Sequence, residues 1–263
     1  MAATVLHPGQ VPFFPVGCAV VIGGSGGIGG AICRGLAQHG ANVVLSYRSN
    51  AGAAAAVVTD IEACGREARA LPLSLAEPAA VVDFMAQAKV AHGRVHTVVV
   101  ATGADISMTY VSGINPCEWT RTIDNDLNGF FYVIRAALPI LRHGGGGAIV
   151  AITSAGNFRH PPKDILSTVP KAGIEALIRG IAREEGRYGI RANAVALGVI
   201  DGGLFRRLEP QVTPEFVEAM KSNTAARRLG TVEEAADAAI FLACNRSRFI
   251  TGVSLAVDGG YSI

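Results

Sequence analysis

The chain is poor in aromatic residues, poor in charge and free of any long apolar run. Of its 263 residues only 6% are aromatic and 17% charged. The longest apolar runs, Val16–Ile22 and Val95–Ala101, are of strand length, well short of the roughly 20 residues a membrane-spanning helix needs. Net charge is +2 with Lys and Arg scattered, which argues against a nucleic-acid surface. Five cysteines, Cys18, Cys33, Cys64, Cys117 and Cys244, form no C-x-x-C pair; reduced thiols in a cytoplasmic protein are expected. The six histidines are scattered, so no metal site is expected. Residues 1–15 hold three prolines and no basic segment ahead of an apolar core. They read as an N-terminal tail rather than a signal peptide.

What the chain does have is glycine, 32 residues of it, and a half share of hydrophobic residues. Its length suits one domain. Strand-like runs lie at Cys18–Ile22, Asn42–Ser46, Ala68–Leu73, Thr97–Ala101, Ala148–Ile152, Arg191–Ala196 and Ser254–Val257. Helix-like segments alternate with them, among them Ala51–Cys64, Ala79–Ala91, a long Trp119–Leu141, Val169–Tyr188 and Thr231–Ala243. This alternation predicts an α/β fold, a doubly wound parallel sheet in a single domain over residues 16–263. The less periodic stretch 200–224 would then lie beyond the strand carboxyl ends, where ligands bind.

The first strand runs into Gly23-Gly24-Ser25-Gly26-Gly27-Ile28-Gly29-Gly30 and then a helix. Gly23, Ser25, Gly27, Ile28 and Gly29 make a candidate phosphate cradle, because glycines admit a pyrophosphate to backbone N–H groups at a helix N-terminus. The second strand ends in Ser46-Tyr47-Arg48-Ser49. It lacks the carboxylate that would bind the ribose 2′-hydroxyl of NAD. Arg48, helped by Ser46 or Ser49, would instead grip a 2′-phosphate, so NADP(H) is the expected cofactor.

With this glycine run, Ser154 and Lys171 in view, the chain resembles the short-chain dehydrogenase/reductase family, from Cys18 to the C-terminus. Gly23, Gly27 and Gly29 match its T-G-x-x-x-G-x-G signature, with Ile22 in place of Thr. Gly198 and Ile200 match its N-x-x-P-G-x-I turn, with Leu197 in place of Pro, and Asp258-Gly259-Gly260 matches its near-terminal D-G-G. The resemblance implies a Rossmann fold, a homotetramer and further cofactor contacts. Those contacts would come from Ala101 and Gly103 in Val100-Ala101-Thr102-Gly103, where the family has N-N-A-G, and from Ser74, where it has an adenine-binding Asp. The tetramer would form through the Trp119–Leu141 and Val169–Tyr188 helices, where Gly173, Ala176 and Gly180 permit close packing, and through the C-terminal strand region.

The resemblance also implies a catalytic set, and here the chain departs from it. Ser154 stands in the family's place, thirteen residues before the position of its Tyr, and Lys171 is present. The Tyr position holds Ser167, and the family's helix-borne Asn reads Asp126, in Asp126-Leu127-Asn128-Gly129. A phenol of pKa about 10 is brought toward neutrality by a nearby ammonium. An aliphatic hydroxyl is a much weaker acid. Ser167-x-x-x-Lys171-Ala172-Gly173 and Leu127-Asn128-Gly129 resemble 2,4-dienoyl-CoA reductases. In such a reaction a hydride attacks a conjugated acyl thioester, and Asn128, Ser154 or Ser167 would stabilise the thioester oxygen. Asp126, if near Lys171, would tune an ordered water. Three readings stay open: this reduction, a 3-oxoacyl-type carbonyl reduction with a displaced donor (Tyr110 ahead of Tyr188), and a cofactor-binding protein with little turnover. Ser167 would serve equally well as a helix N-cap, with Pro170 in the first turn. The arginines of 200–224 would meet a CoA phosphate or remain solvated.

Overall fold

The structure is a computed structural model, and it describes residues 12–263; positions 1–11 of the expected tail lie outside the described residues. Phe14, within that tail, is buried against the ring of His96.

In chain order the elements are β1 (Cys18–Ile22), α1 (Gly27–Gln38), β2 (Asn42–Tyr47), α2 (Ala51–Ala63), β3 (Ala68–Pro72), α3 (Pro78–His92), β4 (Val95–Val100), α4 (Pro116–Thr122), α5 (Gly129–His143), β5 (Gly147–Ser154), α6 (Gly156–Arg159), α7 (Ile165–Glu185), β6 (Ile190–Leu197), α8 (Leu204–Leu208), α9 (Pro214–Ser222), α10 (Val232–Ala243) and β7 (Ser254–Val257). The seven strands form one parallel sheet in the order β3-β2-β1-β4-β5-β6-β7. This is the doubly wound single domain that the alternation predicts. Strands β1 and β4 are buried throughout, which is why they are rich in Val and do not alternate apolar with polar residues.

Two apolar layers cover the sheet. On one face Ile32, Leu36, Val57, Ala239 and Ile240 from α1, α2 and α10 pack on Val43 and Val195. On the other, Phe84, Phe130, Val133, Ile174 and Ile178 from α3, α5 and α7 pack on Val20 and Val98. The strand order reverses between β1 and β4. A crevice therefore opens there at the carboxyl ends, the usual ligand position of this architecture.

Three boundaries differ from expectation in ways that matter for the site. The long helix predicted over Trp119–Leu141 is α4 and α5 joined by a π-helical turn, Ile123–Asn128. Such turns re-aim side chains and often mark functional positions. Helix α7 begins at Ile165, four residues earlier than predicted, and Pro170 lies inside it. The segment 200–224, read as weakly periodic, contains two short helices, α8 and α9.

Candidate active site

After β1 the chain turns at Gly23, where φ is +82° and a β-carbon would lie 2.9 Å from the Ala101 carbonyl oxygen. Only glycine suits both conditions. A β-carbon at Gly29 would collide with the Gly23 carbonyl oxygen, so the helix start packs directly on the turn. The N-cap of α1 is Gly26, which offers no capping side chain, and the first turn holds no acidic residue. The leading N–H groups and their partial positive charge thus remain available to an anion. Ser25 and Ile28 border this cradle, half-buried. Gly27 faces the Gly203 backbone, 2.8 Å from where its β-carbon would be, so the chain after β6 roofs the cradle.

On the adenosine side Arg48 and Ser49 are exposed at the end of β2 with no carboxylate beside them in sequence. Among the described residues Arg48 makes no ion pair. Of the two serines expected as alternatives, Ser46 does not join them. It is buried, and its Oγ accepts the Gly23 N–H at 2.9 Å, holding the glycine turn. Ser74 is half-buried just beyond β3. Ala101 donates its N–H to the Ile22 carbonyl at 2.9 Å, which carries the β1–β4 ladder to the mouth of the crevice, and Gly103 follows it, half-buried. At the end of β6, Gly198 leaves no room for a β-carbon against Asp258, and Ile200 bridges to Gly230. These residues fit a dinucleotide, with an uncapped helix start for the pyrophosphate and an exposed guanidinium at the end of β2.

The catalytic set that the resemblance implies lies next to it. Lys171, buried on α7, sends Nζ to the Thr102 carbonyl oxygen at 2.8 Å and lies 3.5 Å from Asp126 Oδ2. Asp126, buried in the π-helical turn, accepts the Ala104 N–H at 2.9 Å through Oδ1. One carboxylate thereby ties the lysine to the loop after β4. Ser154 closes β5, and its Oγ accepts the Gly156 N–H at 3.0 Å, which leaves the hydroxyl proton for a ligand. Ser167 and Lys171 share one face of α7, four residues apart.

Two readings need correction. Ser167 is not an N-cap: Asp164 takes that place, and the Ser167 N–H donates to the Asp164 carbonyl at 3.0 Å. Asn128 does not join the centre, since its amide nitrogen donates to Asp124 Oδ1 at 2.7 Å on the exposed side of the turn. Of the tyrosines, Tyr188 stacks under Arg142 and Arg187, just ahead of β6 at the amino ends of the strands. Tyr110 is exposed, with Lys163 Nζ 5.0 Å from its ring centre.

Asp164 escaped the sequence reading. A β-carbon built on Gly156 would sit 3.0 Å from Ser154 Oγ and 3.1 Å from Asp164 Oδ2, so the two side chains are neighbours. Burial pushes the Asp164 carboxyl up to about 7. Above the centre, Ala104, Ile106 and Leu166 form a small apolar cluster with Ile114, Ile165 and Leu208. Arg207 reaches Asp105 at 2.6 Å, tying α8 to the loop after β4, and Arg206 pairs with Asp201 at 2.6 Å. Both arginines expected to meet a phosphate or solvent are therefore paired within the chain.

A family profile described as "Enoyl-(Acyl carrier protein) reductase" matches residues 23–262. The chain belongs to the short-chain dehydrogenase/reductase family. It is an oxidoreductase of that family, and the fold and glycine cradle agree. An L-rhamnose 1-dehydrogenase (NAD(P)(+)) from Sphingomonas sp. (strain SKA58) is 34% identical, covering 92% of this chain and 94% of that protein. A 1-cyclohexenylcarbonyl-CoA reductase from Streptomyces collinus is 31% identical over 93% of this chain and 86% of its own length. A short-chain type dehydrogenase/reductase structure from Mycobacterium ulcerans superposes with a TM-score of 0.87 at 29% identity, covering 94% of this chain and 90% of that one. Among the described residues no helix is long and apolar enough to cross a membrane, and no cluster of His, Cys, Asp and Glu would hold a metal ion. The five cysteines are free.

Proposed function

We propose that this reductase uses NADP(H) to reduce a conjugated acyl thioester. The observation that carries the reading is the centre itself: a free Ser154 hydroxyl and a buried Lys171–Asp126 pair, with Ser167 where the family has its phenol. When bound, NADPH supplies a hydride. Arg48 and Ser49 would hold its 2′-phosphate, the start of α1 its pyrophosphate, and Lys171 its nicotinamide ribose. Ser154 then donates to the thioester oxygen as charge collects there. An enolate is far less basic than an alkoxide, so this site can serve it without a phenol. The Streptomyces relative is named for a conjugated acyl-CoA substrate, which supports the same chemistry here. The internal pairing of Arg206 and Arg207 leaves the thioester's carrier group unassigned. The exposed Ala176 and Gly180 on α7 support a homotetramer; Gly173 does not add to it, because it packs against Leu127 inside the chain.

Asp164 beside Ser154 favours a second reading, reduction of a 3-oxo carbonyl. Following NADPH consumption with a 2,4-dienoyl-CoA and a 3-oxoacyl-CoA side by side separates the two. Turnover of the dienoyl substrate is expected; turnover of the 3-oxo substrate alone would overturn the first reading in favour of the second.

A further inference from the structure

A carboxyl group buried without a partner is costly, because the charged form loses its hydration. Asp164 is half-buried, and the part of its hydration lost to the fold raises the pKa of its carboxyl. Among the described residues its carboxylate accepts no hydrogen bond and makes no ion pair, although it precedes α7 and could have capped it. Nearby cations are engaged elsewhere. Arg159, from α6, lies 5.1 Å from the Tyr261 ring centre and donates to the Tyr261 carbonyl at 2.8 Å. Lys163 turns to Tyr110. Tyr261, from the C-terminal turn, feels the Asp164 charge, and Asp258 behind it is held by the Gly260 and Ser262 N–H groups, each at 2.9 Å. Thr168, on α7, spends its hydroxyl on the Asp164 carbonyl at 3.1 Å. None of these groups pairs with the carboxylate, and across Gly156 it neighbours Ser154.

Position adds to this. Asp164 precedes Ser167 by three residues, one helical turn, at the end of α7 nearest the apolar cluster of Ile106, Leu166 and Leu208. Ser154 Oγ and Asp164 Oδ2 flank Gly156 at 3.0 and 3.1 Å from one point. The oxygens are thus no farther apart than two hydrogen-bond lengths, the separation at which one substrate oxygen would meet both.

We propose that Asp164 is the proton-holding acid of this site: its carboxyl group meets, together with the Ser154 hydroxyl, the substrate oxygen on which charge develops, and gives it the proton that a phenol at position 167 would otherwise give. The inference rests on the reductase reading but not on which substrate is reduced. As the hydride from reduced nicotinamide adds to carbon, the π pair of the acceptor moves to oxygen. The Asp164 O–H bond breaks and the new O–H bond forms. The carboxylate left behind regains a proton from water. A ketone ends as an alcohol; a conjugated thioester ends as an enol that tautomerises to the saturated carbon. A carboxyl held near neutrality suits this task better than an ordinary one, since an acid works best with its pKa near the working pH.

The test combines a titration with kinetics. In protein labelled with ¹³C at the Asp carboxyl carbons, one signal is expected to titrate near pH 7 and to be absent in D164N. This readout needs no substrate. With whichever thioester or ketone reacts, D164N should lose about 10²–10⁴-fold in kcat, and the fall in wild-type rate above pH 7 should vanish. D164E should regain part of the rate, and S167Y placed in D164N should regain turnover with the limb moved to higher pH. If no substrate reacts but Asp164 still titrates near 7, the acid stands and the proposed reaction fails. An Asp164 signal titrating in the ordinary carboxylate range, or D164N with unchanged rate and pH profile, overturns the inference.

Discussion

Lys171 Nζ stands 3.5 Å from Asp126 Oδ2, and both side chains are nearly shut off from water, 11% and 4% exposed. The carboxylate also holds the Ala104 N–H, and the ammonium holds the Thr102 carbonyl. The pair therefore pins the loop after β4 to α7 across the mouth of the crevice. A buried ion pair is weak evidence for net stability, but breaking one strands the other charge.

Replacing Asp126 with Ala should accordingly destabilise the protein by about 3–5 kcal/mol. D126N should cost less, because its amide oxygen still accepts the Ala104 N–H. Urea unfolding of the three proteins checks the order; equal midpoints for D126A and wild type would show that the pair does not hold the loop.

Arg48 is the one cation at the end of β2, free of ion pairs among the described residues. R48A should weaken NADPH binding by about tenfold, roughly 1.4 kcal/mol, while leaving NADH binding nearly unchanged. Titration of nicotinamide fluorescence with each cofactor measures the ratio. A matched loss for both cofactors would place the 2′-phosphate elsewhere.

Much of this arrangement is legible in the sequence. Cys18–Ile22 and Ser254–Val257 are strands with the predicted ends. The helix predicted from Thr231 begins one residue later, with Thr231 as its N-cap in a capping box with Glu234. Buried parallel strands announce themselves as apolar runs, and glycine marks the one turn that needs it. The start of α7 was hidden by Pro170, which lacks an N–H and reads as a first-turn residue; here it sits at the sixth helical position, where tertiary packing overrides the local preference. Asn128 and Asp126 are two residues apart in one tripeptide, and only the π-helical turn decides which of them faces Lys171. Asp164 follows Pro-Pro-Lys and so resembles a loop residue. Its spacing of three from Ser167 was the available signal, but it required knowing that the helix already begins at Ile165.

The glycine cradle tolerates no side chain where it closes. G29A should cost about 3 kcal/mol through overpacking against the Gly23 carbonyl and should abolish NADPH binding. G186A, where a β-carbon meets nothing within 4 Å in the chain, should leave the fold intact and serves as the control. Thermal melts with and without NADPH distinguish them. A cofactor-dependent rise in Tm for G29A equal to that of wild type would contradict the cradle.

His96 adds a pH dependence unrelated to the reaction. Burial, reinforced by the charge of Arg94, holds its imidazole down at about 4. The unfolded chain, with an ordinary value of about 6.5, then binds more protons than the folded one between these limits. Stability is present above pH 6.5 and falls as the pH drops toward 4. An H96Q variant should show a flatter decline across that window in chemical denaturation, and an unchanged slope would assign the decline to other groups.

The most direct measurement follows the hydride itself. NADPH deuterated at the transferred position of C4 would be incubated with a 2,4-dienoyl-CoA and, separately, with a 3-oxoacyl-CoA, and the deuterium located in each product by NMR. Deuterium on a former alkene carbon, with the thioester intact, is the expected result. Deuterium found only on the carbinol carbon of a 3-hydroxyacyl product would contradict conjugate reduction.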